Sequence, residues 1–389
     1  MTFGNRPGTI PPMIAPRQSD DPHRTWTVAD LLGWTEAHFR KLAFLTPRLD
    51  AEVLLAHALG GGRLELYTGY RKVVEPEERA RFRALVMRRT KGEPVAYITG
   101  QREFHSLRFE VSPAVLIPRP ETEHLVDAVV EHLRRLAAPP EPMEPMEPPE
   151  PAEVAETAAG PDVGGGGDPA EIPAETPVPE PAPEADPPAS GAGPGQGPAP
   201  SAWKEVQVLD LGTGSGNIAI SVAKEIPSAQ VVAVDSSPEA LAVARRNAAA
   251  HGVVDRIRLL EGDLFRPLGG SDPPPLFDAI ASNPPYIPLR DRPGLPVDVR
   301  DFEPPAALFD GRSGPGGDGL GFHREIALRA PAFLRAGGLL ALEVGAGQAP
   351  AVQDLLRAAG LISVRSIQDL GAIQRVVLGE KPGPGPGPA

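Results

Sequence analysis

From Glu205 onward the chain alternates short β-branched apolar runs with helix-period segments, and this alternation restricts it to one fold class. Val206–Leu209, Gln230–Val234, Ile257–Leu260, Ala279–Ser282 and Leu339–Val344 read as strands. Gly216–Glu225 and Pro238–His251 read as helices between the first three, and Ser363–Gln368 and Gln374–Leu378 as the final strands. Short apolar runs bounded by turn signals suit strands covered on both faces, and helices between them build parallel βαβ units. The expected architecture is therefore α/β, a doubly wound sheet carried by residues 118–138 and 201–380.

Ahead of it lies a different pattern. Residues 1–22 hold scattered Pro and Gly with no continuous apolar core, so they read as disordered and not as a secretory signal. Residues 23–94 read as a small helical domain. Thr27 is placed to cap a first helix bearing Leu31, Leu32, Trp34, Ala37 and Phe39. Pro47–Leu59 sets Ala51, Leu54, Leu55, Ala58 and Leu59 on one face and stops at Gly60-Gly61-Gly62. Pro76–Thr90 starts with Pro and acids and ends in Arg88, Arg89 and Lys91, which suits the helix dipole. Its bases, with Arg71, Lys72, Arg79, Arg81 and Arg83, form either a solvated face or a docking surface for an acidic partner protein or RNA. Residues 95–117 read as a β-hairpin linker, with Phe104–Val111 the best strand, followed by a helix from about Thr122 to Leu136.

Composition matters mainly through where the charge sits. The 389 residues carry a formal charge of −13. Thirteen of the 51 acids and none of the 38 bases fall between Pro139 and Pro200, so the rest of the chain is balanced. That stretch, 139–200, also holds 19 prolines and no aromatic residue. It cannot bury enough apolar surface to offset its ordering entropy and is expected to be a disordered insert, like the tail 381–389. A balanced folded part gives no electrostatic case for direct nucleic-acid binding. No cysteine is present, which excludes disulfides and thiolate metal sites, and no histidine pair has metal-ligand spacing. No run approaches the roughly 20 apolar residues a bilayer span needs, so the expectation is a cytoplasmic protein without membrane contact.

Two loops carry the chemistry. Asp210-Leu211-Gly212-Thr213-Gly214-Ser215-Gly216 follows a strand and opens a helix. Glycines there let a ligand approach the backbone, and the helix N-terminus favours an anionic group. Asn217 stands where a dinucleotide loop wants its third glycine. Asp210 instead favours S-adenosylmethionine, with its carboxylate answering the methionine ammonium. Asp235, ending the next strand, can accept both hydroxyls of a ribose, although it can also serve as a helix N-cap. Asp263, after the third strand, is placed to accept from the adenine amino group, with a neighbouring apolar side chain against the ring.

The second loop is Asn283-Pro284-Pro285-Tyr286. An amide nitrogen attacks poorly because its lone pair is delocalised. The Asn283 side-chain oxygen and the Pro284 carbonyl can each accept one N–H of a planar NH2 group and turn it toward a sulfonium methyl. Tyr286 would pack on the planar group. Catalysis is thus assigned to Asn283, Pro284 and Tyr286, and substrate binding to these with Pro285. The proton leaves after transfer, so no general base is required beforehand.

With these residues in view, the chain resembles the HemK/PrmC family, the release factor N5-glutamine methyltransferases. The resemblance spans roughly residues 27–137 and 203–380. It rests on Glu93-Pro94-Val95-Ala96-Tyr97-Ile98-Thr99-Gly100, Glu103-Phe104, Val115 to Glu123, Asp210 to Gly216, Asn283 to Tyr286, Glu303 to Leu308, Gly317 to Leu320, and Arg375-Val376-Val377. It implies a Rossmann-like seven-stranded class I methyltransferase domain behind a small helical domain and a β-hairpin linker. It implies S-adenosylmethionine at Asp210, Gly212, Thr213, Gly214, Ser215, Gly216, Asp235, Asp263, Leu264 and Asn283. As substrate it implies peptide chain release factors, gripped in part by the helical domain and methylated on the Gln of a Gly-Gly-Gln motif. Leu264 stands where family members often carry an aromatic, and neither the 139–200 insert nor Arg312-Ser313-Gly314-Pro315-Gly316 is a family feature. Asn-Pro-Pro-Tyr also fits adenine-N6 DNA and guanine-N2 RNA methyltransferases, which flip a base and need a basic track. A glutamine methyltransferase of a ribosomal protein is a nearer alternative, and a non-enzymatic S-adenosylmethionine-binding scaffold a more distant one.

Overall fold

The computed structural model describes residues 25–137, 204–270 and 272–383, so the expectations for 1–22 and 139–200 fall outside the described residues. The N-terminal part holds α1 (Val28–Lys41), α2 (Pro47–Leu59), α3 (Arg63–Thr68), α4 (Pro76–Thr90) and α5 (Val95–Thr99). Thr27 caps α1 as expected: its Oγ1 accepts from Asp30 N at 3.2 Å, and the Asp30 carboxylate accepts from Thr27 N at 3.0 Å. Gly60, at φ +72°, ends α2. Leu32, Phe39, Leu54, Leu55, Phe82 and Val86 meet in one core. Each such buried side chain stabilises by about 1.5–3 kcal/mol relative to exposure.

The basic cluster on α4 is partly spent inside the protein. Arg89 pairs with Asp50 at 2.8 Å with both side chains only 8% exposed, and Arg88 pairs with Glu93 at 2.5 Å. The Arg89 guanidinium is therefore not available as a free docking charge, while Arg88 remains 44% exposed.

Two details of the linker differ from the sequence expectation. Val95–Thr99 is helical, bounded by Pro94 and by Gly100 at φ +73°. Phe104–Val111 is not one strand: β1 (Gln101–Phe104) and β2 (Leu107–Glu110) pair antiparallel around His105-Ser106. Both turn residues have positive φ, +49° and +58°, the sign a two-residue hairpin needs. Non-glycine residues in that region hid the turn from a sequence reading.

After α6 (Glu123–Ala137) the chain runs through β3 (Val206–Leu211), α7 (Asn217–Glu225), β4 (Ala229–Asp235), α8 (Pro238–Ala250), β5 (Ile257–Glu261) and β6 (Phe277–Ser282). Then come α9 (Val297–Phe302), α10 (Pro305–Leu308), α11 (Gly321–Phe333), β7 (Leu334–Glu343), α12 (Ala349–Ala358), β8 (Ile362–Gln368) and β9 (Gln374–Glu380). The sheet order is β5-β4-β3-β6-β7-β9-β8. All pairs are parallel except those made by β9. The five residues between β8 and β9 are too few for a parallel crossover, so the last pair closes as a hairpin. Leu209, Leu211, Ile280, Leu340 and Leu342 pack with Ile326 and Phe333 of α11 and Val352 and Leu356 of α12. Lys381, expected to begin a disordered tail, instead donates its backbone N–H to Gly338 O at 2.9 Å and its Nζ to Leu334 O at 2.7 Å.

The hairpin is fastened to α8. Asn247 Oδ1 accepts from Glu110 N at 2.7 Å, and its Nδ2 donates to Glu110 O at 3.0 Å and to Ser215 O at 2.9 Å. One side chain therefore ties the linker to the glycine-rich loop.

The sheet places the site. β3 lies between β4 and β6, and the chain leaves β3 and β6 in opposite directions, which opens a crevice at their C-terminal ends. Leu211 pairs with Ser282 in register, and Ser282 Oγ donates to Leu211 O at 2.7 Å. Gly212 and Asn283, the first residues of the two candidate loops, are thus launched side by side.

The residues flanking the insert also meet, with Lys204 N donating to Ala137 O at 3.2 Å. Replacing residues 138–203 by a short Gly-Ser turn is expected to leave kcat within about threefold and Tm nearly unchanged, since their two flanks already meet and closure entropy varies slowly with length. Loss of transfer in a variant with intact circular dichroism and melting would contradict this.

Candidate active site

A cavity opens over the C-terminal ends of β3, β4 and β6, lined by Gly212 to Ser215, Asp235, Asp263, Leu264 and Asn283 to Pro285. Gly212 and Gly214 have φ of +74° and +54°, and a Cβ built on either meets no protein atom within 4 Å. Both line the cavity, so the room such a Cβ would take is ligand room. Gly216 serves helix packing instead, since a Cβ there would stand 3.0 Å from Ile220 and 3.3 Å from Ala244, where α7 packs on α8.

Asp235 is on the cavity wall. Its Oδ2 accepts from Gly214 N at 2.8 Å and its Oδ1 from Ser237 N at 2.9 Å, so it also shapes the glycine loop. Burial raises its pKa, and the N–H donors work against the rise. The cap of α8 is Ser237, whose Oγ accepts from Ala240 N at 3.1 Å.

Asp210 is not on the cavity wall. It is wholly buried beneath the loop, and its Oδ2 accepts from Thr213 Oγ1 at 2.7 Å and Ala219 N at 3.2 Å. Burial pushes its pKa up to about 7 despite those donors. Its Oδ1 is buried without a hydrogen-bond partner in the protein.

At the far end, Asp263 lines the cavity and pairs with Arg312, and more loosely with Arg266 at 3.5 Å. Leu264 is on the wall in the left-handed region, φ +47°, which turns the next residue inward. Phe265 is fully buried and stacks on Phe333 with centroids 4.8 Å apart, so it faces the core and not the cavity. The aromatic at this end is Phe322 from the start of α11, with the Arg312 guanidinium 4.2 Å from its ring centroid. No motif in the sequence marks Phe322.

Asn283, Pro284 and Pro285 line the cavity; Tyr286 does not. Its side chain, expected to pack on a planar group, is set back from the wall. Its ring lies against Gly345, where an added Cβ would come within 3.1 Å of Tyr286 Cδ2, and its hydroxyl is 3.5 Å from Glu343 Oε1. Burial raises the phenol's pKa, so it stays protonated. Its carbonyl accepts from Gln348 Nε2 at 3.0 Å, which fixes the loop from behind.

Asn283 Nδ2 donates to Thr122 Oγ1 at 3.1 Å, and Thr122 Oγ1 donates to Glu343 Oε2 at 2.5 Å. The Asn283 oxygen is thereby left for another donor. Sequence reasoning passed over Glu343 because it ends an apolar strand with no motif beside it. Thr122 lay inside a quoted run, but nothing there signalled this bond. Arg119, also on the wall, is held by Glu303 at 2.5 Å, and Glu303 accepts from Ile117 N at 3.2 Å.

S-adenosylmethionine fits these groups. The bare Gly212 and Gly214 backbone leaves room for the ligand, and the Asp235 carboxylate lines the cavity as a hydroxyl acceptor. Beyond the cavity, no described helix is long and apolar enough to cross a membrane.

Comparison with known proteins agrees with this geometry. Residues 30–100 match the PrmC N-terminal domain and residues 200–291 the methyltransferase small domain. A Geobacter sulfurreducens protein named release factor glutamine methyltransferase is 39% identical over 354 residues, covering 91% of this chain and 96% of its own. Proteins of the same name from Rhodopirellula baltica and Chlorobaculum tepidum are each 36% identical, over 95% and 90% of this chain and 100% and 96% of theirs. Among solved structures, a Pyrococcus furiosus methyltransferase covers 46% of this chain and 76% of its own at 21% identity, with a TM-score of 0.34, too low to add to the argument. This chain is an S-adenosylmethionine-dependent methyltransferase, and it belongs to the release factor glutamine methyltransferase family.

Proposed function

We propose that this protein transfers the methyl of S-adenosylmethionine to the N5 amide of the glutamine in the Gly-Gly-Gln motif of peptide chain release factors. Its work would then lie with translation termination in the cytoplasm. The observation that carries the reading is the pairing of Leu211 with Ser282, which launches the glycine loop and the Asn-Pro-Pro loop from adjacent strands. When bound, S-adenosylmethionine supplies an electrophilic methyl on a sulfonium.

The chain's own groups do the rest. Gly212 to Gly214 present a backbone cradle, and Asp235 accepts from ribose hydroxyls. Asn283 Oδ1 and the Pro284 carbonyl accept the two N–H bonds of the glutamine amide. That holds the nitrogen in line with the methyl and draws electron density toward it, so positioning and electrostatics lower the barrier together. Pro285 closes the loop and Tyr286 braces it through Gly345 and Glu343. The nitrogen sheds its proton after the bond has formed.

Support for the substrate comes from the relatives' shared name and from the balance of acids and bases outside residues 139–200, which gives no electrostatic case for a nucleic-acid substrate. The test is a transfer assay with labelled S-adenosylmethionine, using intact release factor, its Gln→Ala variant, ribosomal protein and duplex DNA. Label is expected only in intact release factor. Label that persists in the Gln→Ala variant, or appears only in ribosomal protein or DNA, would overturn the proposal.

A further inference from the structure

Thr122 and Glu343 lie outside both loops, yet they join the one side chain on which substrate orientation depends. Thr122 sits in the short turn before α6 and Glu343 at the end of β7, and each is 1% exposed. The Thr122 hydroxyl has one proton, and it goes to Glu343 Oε2 at 2.5 Å. An ionised carboxylate can only accept, so Thr122 Oγ1 has only a lone pair left to offer Asn283. Asn283 must then turn its NH2 to Thr122, as it does at 3.1 Å, and its oxygen away.

We propose that Thr122 and Glu343 are positioning residues that lock the Asn283 carboxamide with its oxygen toward the substrate amide. This inference rests on the transfer reading above and extends it to Thr122, on the cavity wall, and Glu343 behind it, both acting through Asn283. A reversed carboxamide would point a donor at an NH2 group that has only donors to give. Binding would fail at the atom that matters.

The lock depends on the charge of Glu343. Once protonated, Glu343 can donate to Thr122 Oγ1, the hydroxyl proton is released toward Asn283, and the carboxamide no longer has one preferred orientation. The groups around Glu343 are Glu121 and Arg119 before α6, Tyr286 in the loop and Arg375 on β9. His323 on α11 bonds only the Glu343 backbone carbonyl, at 2.9 Å. Burial dominates and raises Glu343 to about 7; Glu121 adds to the rise, while Thr122, Arg375 and Arg119 oppose it. The charged form, and with it the lock, is present above that pH and lost below it.

The experiment compares wild type with T122V, T122S and E343Q for transfer to release factor and for S-adenosylmethionine binding. Removing the hydroxyl in T122V is expected to lower kcat about 10- to 100-fold with cofactor Kd within about twofold. T122S is expected to restore kcat to within about threefold of wild type. Wild-type kcat should fall below about pH 7. E343Q cannot titrate, and its amide can donate as well as accept like a protonated carboxyl, so it should lose that acid limb and stay near the low-pH kcat throughout. The proposal is overturned if T122V keeps wild-type kcat, if serine is as poor as valine, or if E343Q retains the limb.

A second measurement needs no turnover. The 15N side-chain NH2 signals of Asn283, assigned by their loss in N283A, should titrate in wild type and be pH-independent in E343Q. A titration that survives in E343Q overturns the lock. A wild type that leaves release factor unmethylated while its Asn283 signals titrate in this way sinks the substrate reading and upholds the lock.

Discussion

Replacing Asn283 by alanine is expected to lower kcat for methyl transfer about a thousandfold or more while S-adenosylmethionine binds within about threefold of wild type. The asymmetry follows from position. Asn283 begins the loop after β6, and on the proposed reading its oxygen, set by the Thr122 contact, is one of the two acceptors that hold the substrate amide. Without it one N–H loses its partner, the amide plane can rotate, and the nitrogen leaves the line of attack. On the proposed reading the cofactor keeps the glycine loop, Asp235 and Asp263, none of which the substitution alters. Kinetics with saturating cofactor, together with calorimetric binding of S-adenosylhomocysteine, measure the two losses separately. Equal losses in both would assign Asn283 to cofactor binding and contradict its role toward the amide.

Gly214→Val is expected to do the reverse, weakening S-adenosylmethionine binding about a hundredfold or more. At φ +54° a β-branched residue is strained, and its side chain would project into the cavity. It would also disturb the N–H that donates to Asp235 Oδ2 at 2.8 Å, moving a second residue of the cavity wall. Strain alone costs stability, so Gly252→Val is the control: Gly252 has φ +67°, equally open surroundings, and no place on the cavity wall. Both variants should lower Tm, but only Gly214→Val should lose the cofactor. If both lose it, backbone strain and not occupied ligand space explains the effect.

Much of this arrangement was legible in the sequence, for reasons particular residues make clear. β-branched runs such as Gln230–Val234 and the glycines after Leu211 give a parallel sheet and its ligand loop, because periodicity and φ preference are local properties. The boundaries of α2 and α4 came out as read because Pro and Gly mark them. What stayed hidden depends on contacts far along the chain. Phe322 reaches the cavity, while Phe265, beside Asp263 in sequence, is turned into the core by the positive φ of Leu264. Glu343 becomes part of the site only because β7 lies next to β6, some 60 residues from Asn283 in sequence, a separation that periodicity arguments cannot bridge. Asp210 was expected on the ligand face but works mainly beneath the loop, since its strand neighbour Leu211, not Asp210, ends at the crevice. Helix α5 and the hairpin turn were missed because Val95–Thr99 has strand-like composition and His105-Ser106 holds no glycine.

The most direct measurement is a crystal structure with S-adenosylhomocysteine and the glutamine-bearing domain of a release factor. The glutamine nitrogen is expected within hydrogen-bond distance of both Asn283 Oδ1 and the Pro284 carbonyl, facing the thioether sulfur across the gap a methyl would fill. A glutamine whose amide lies outside the cavity, or whose oxygen instead accepts from a reversed Asn283, would contradict the account.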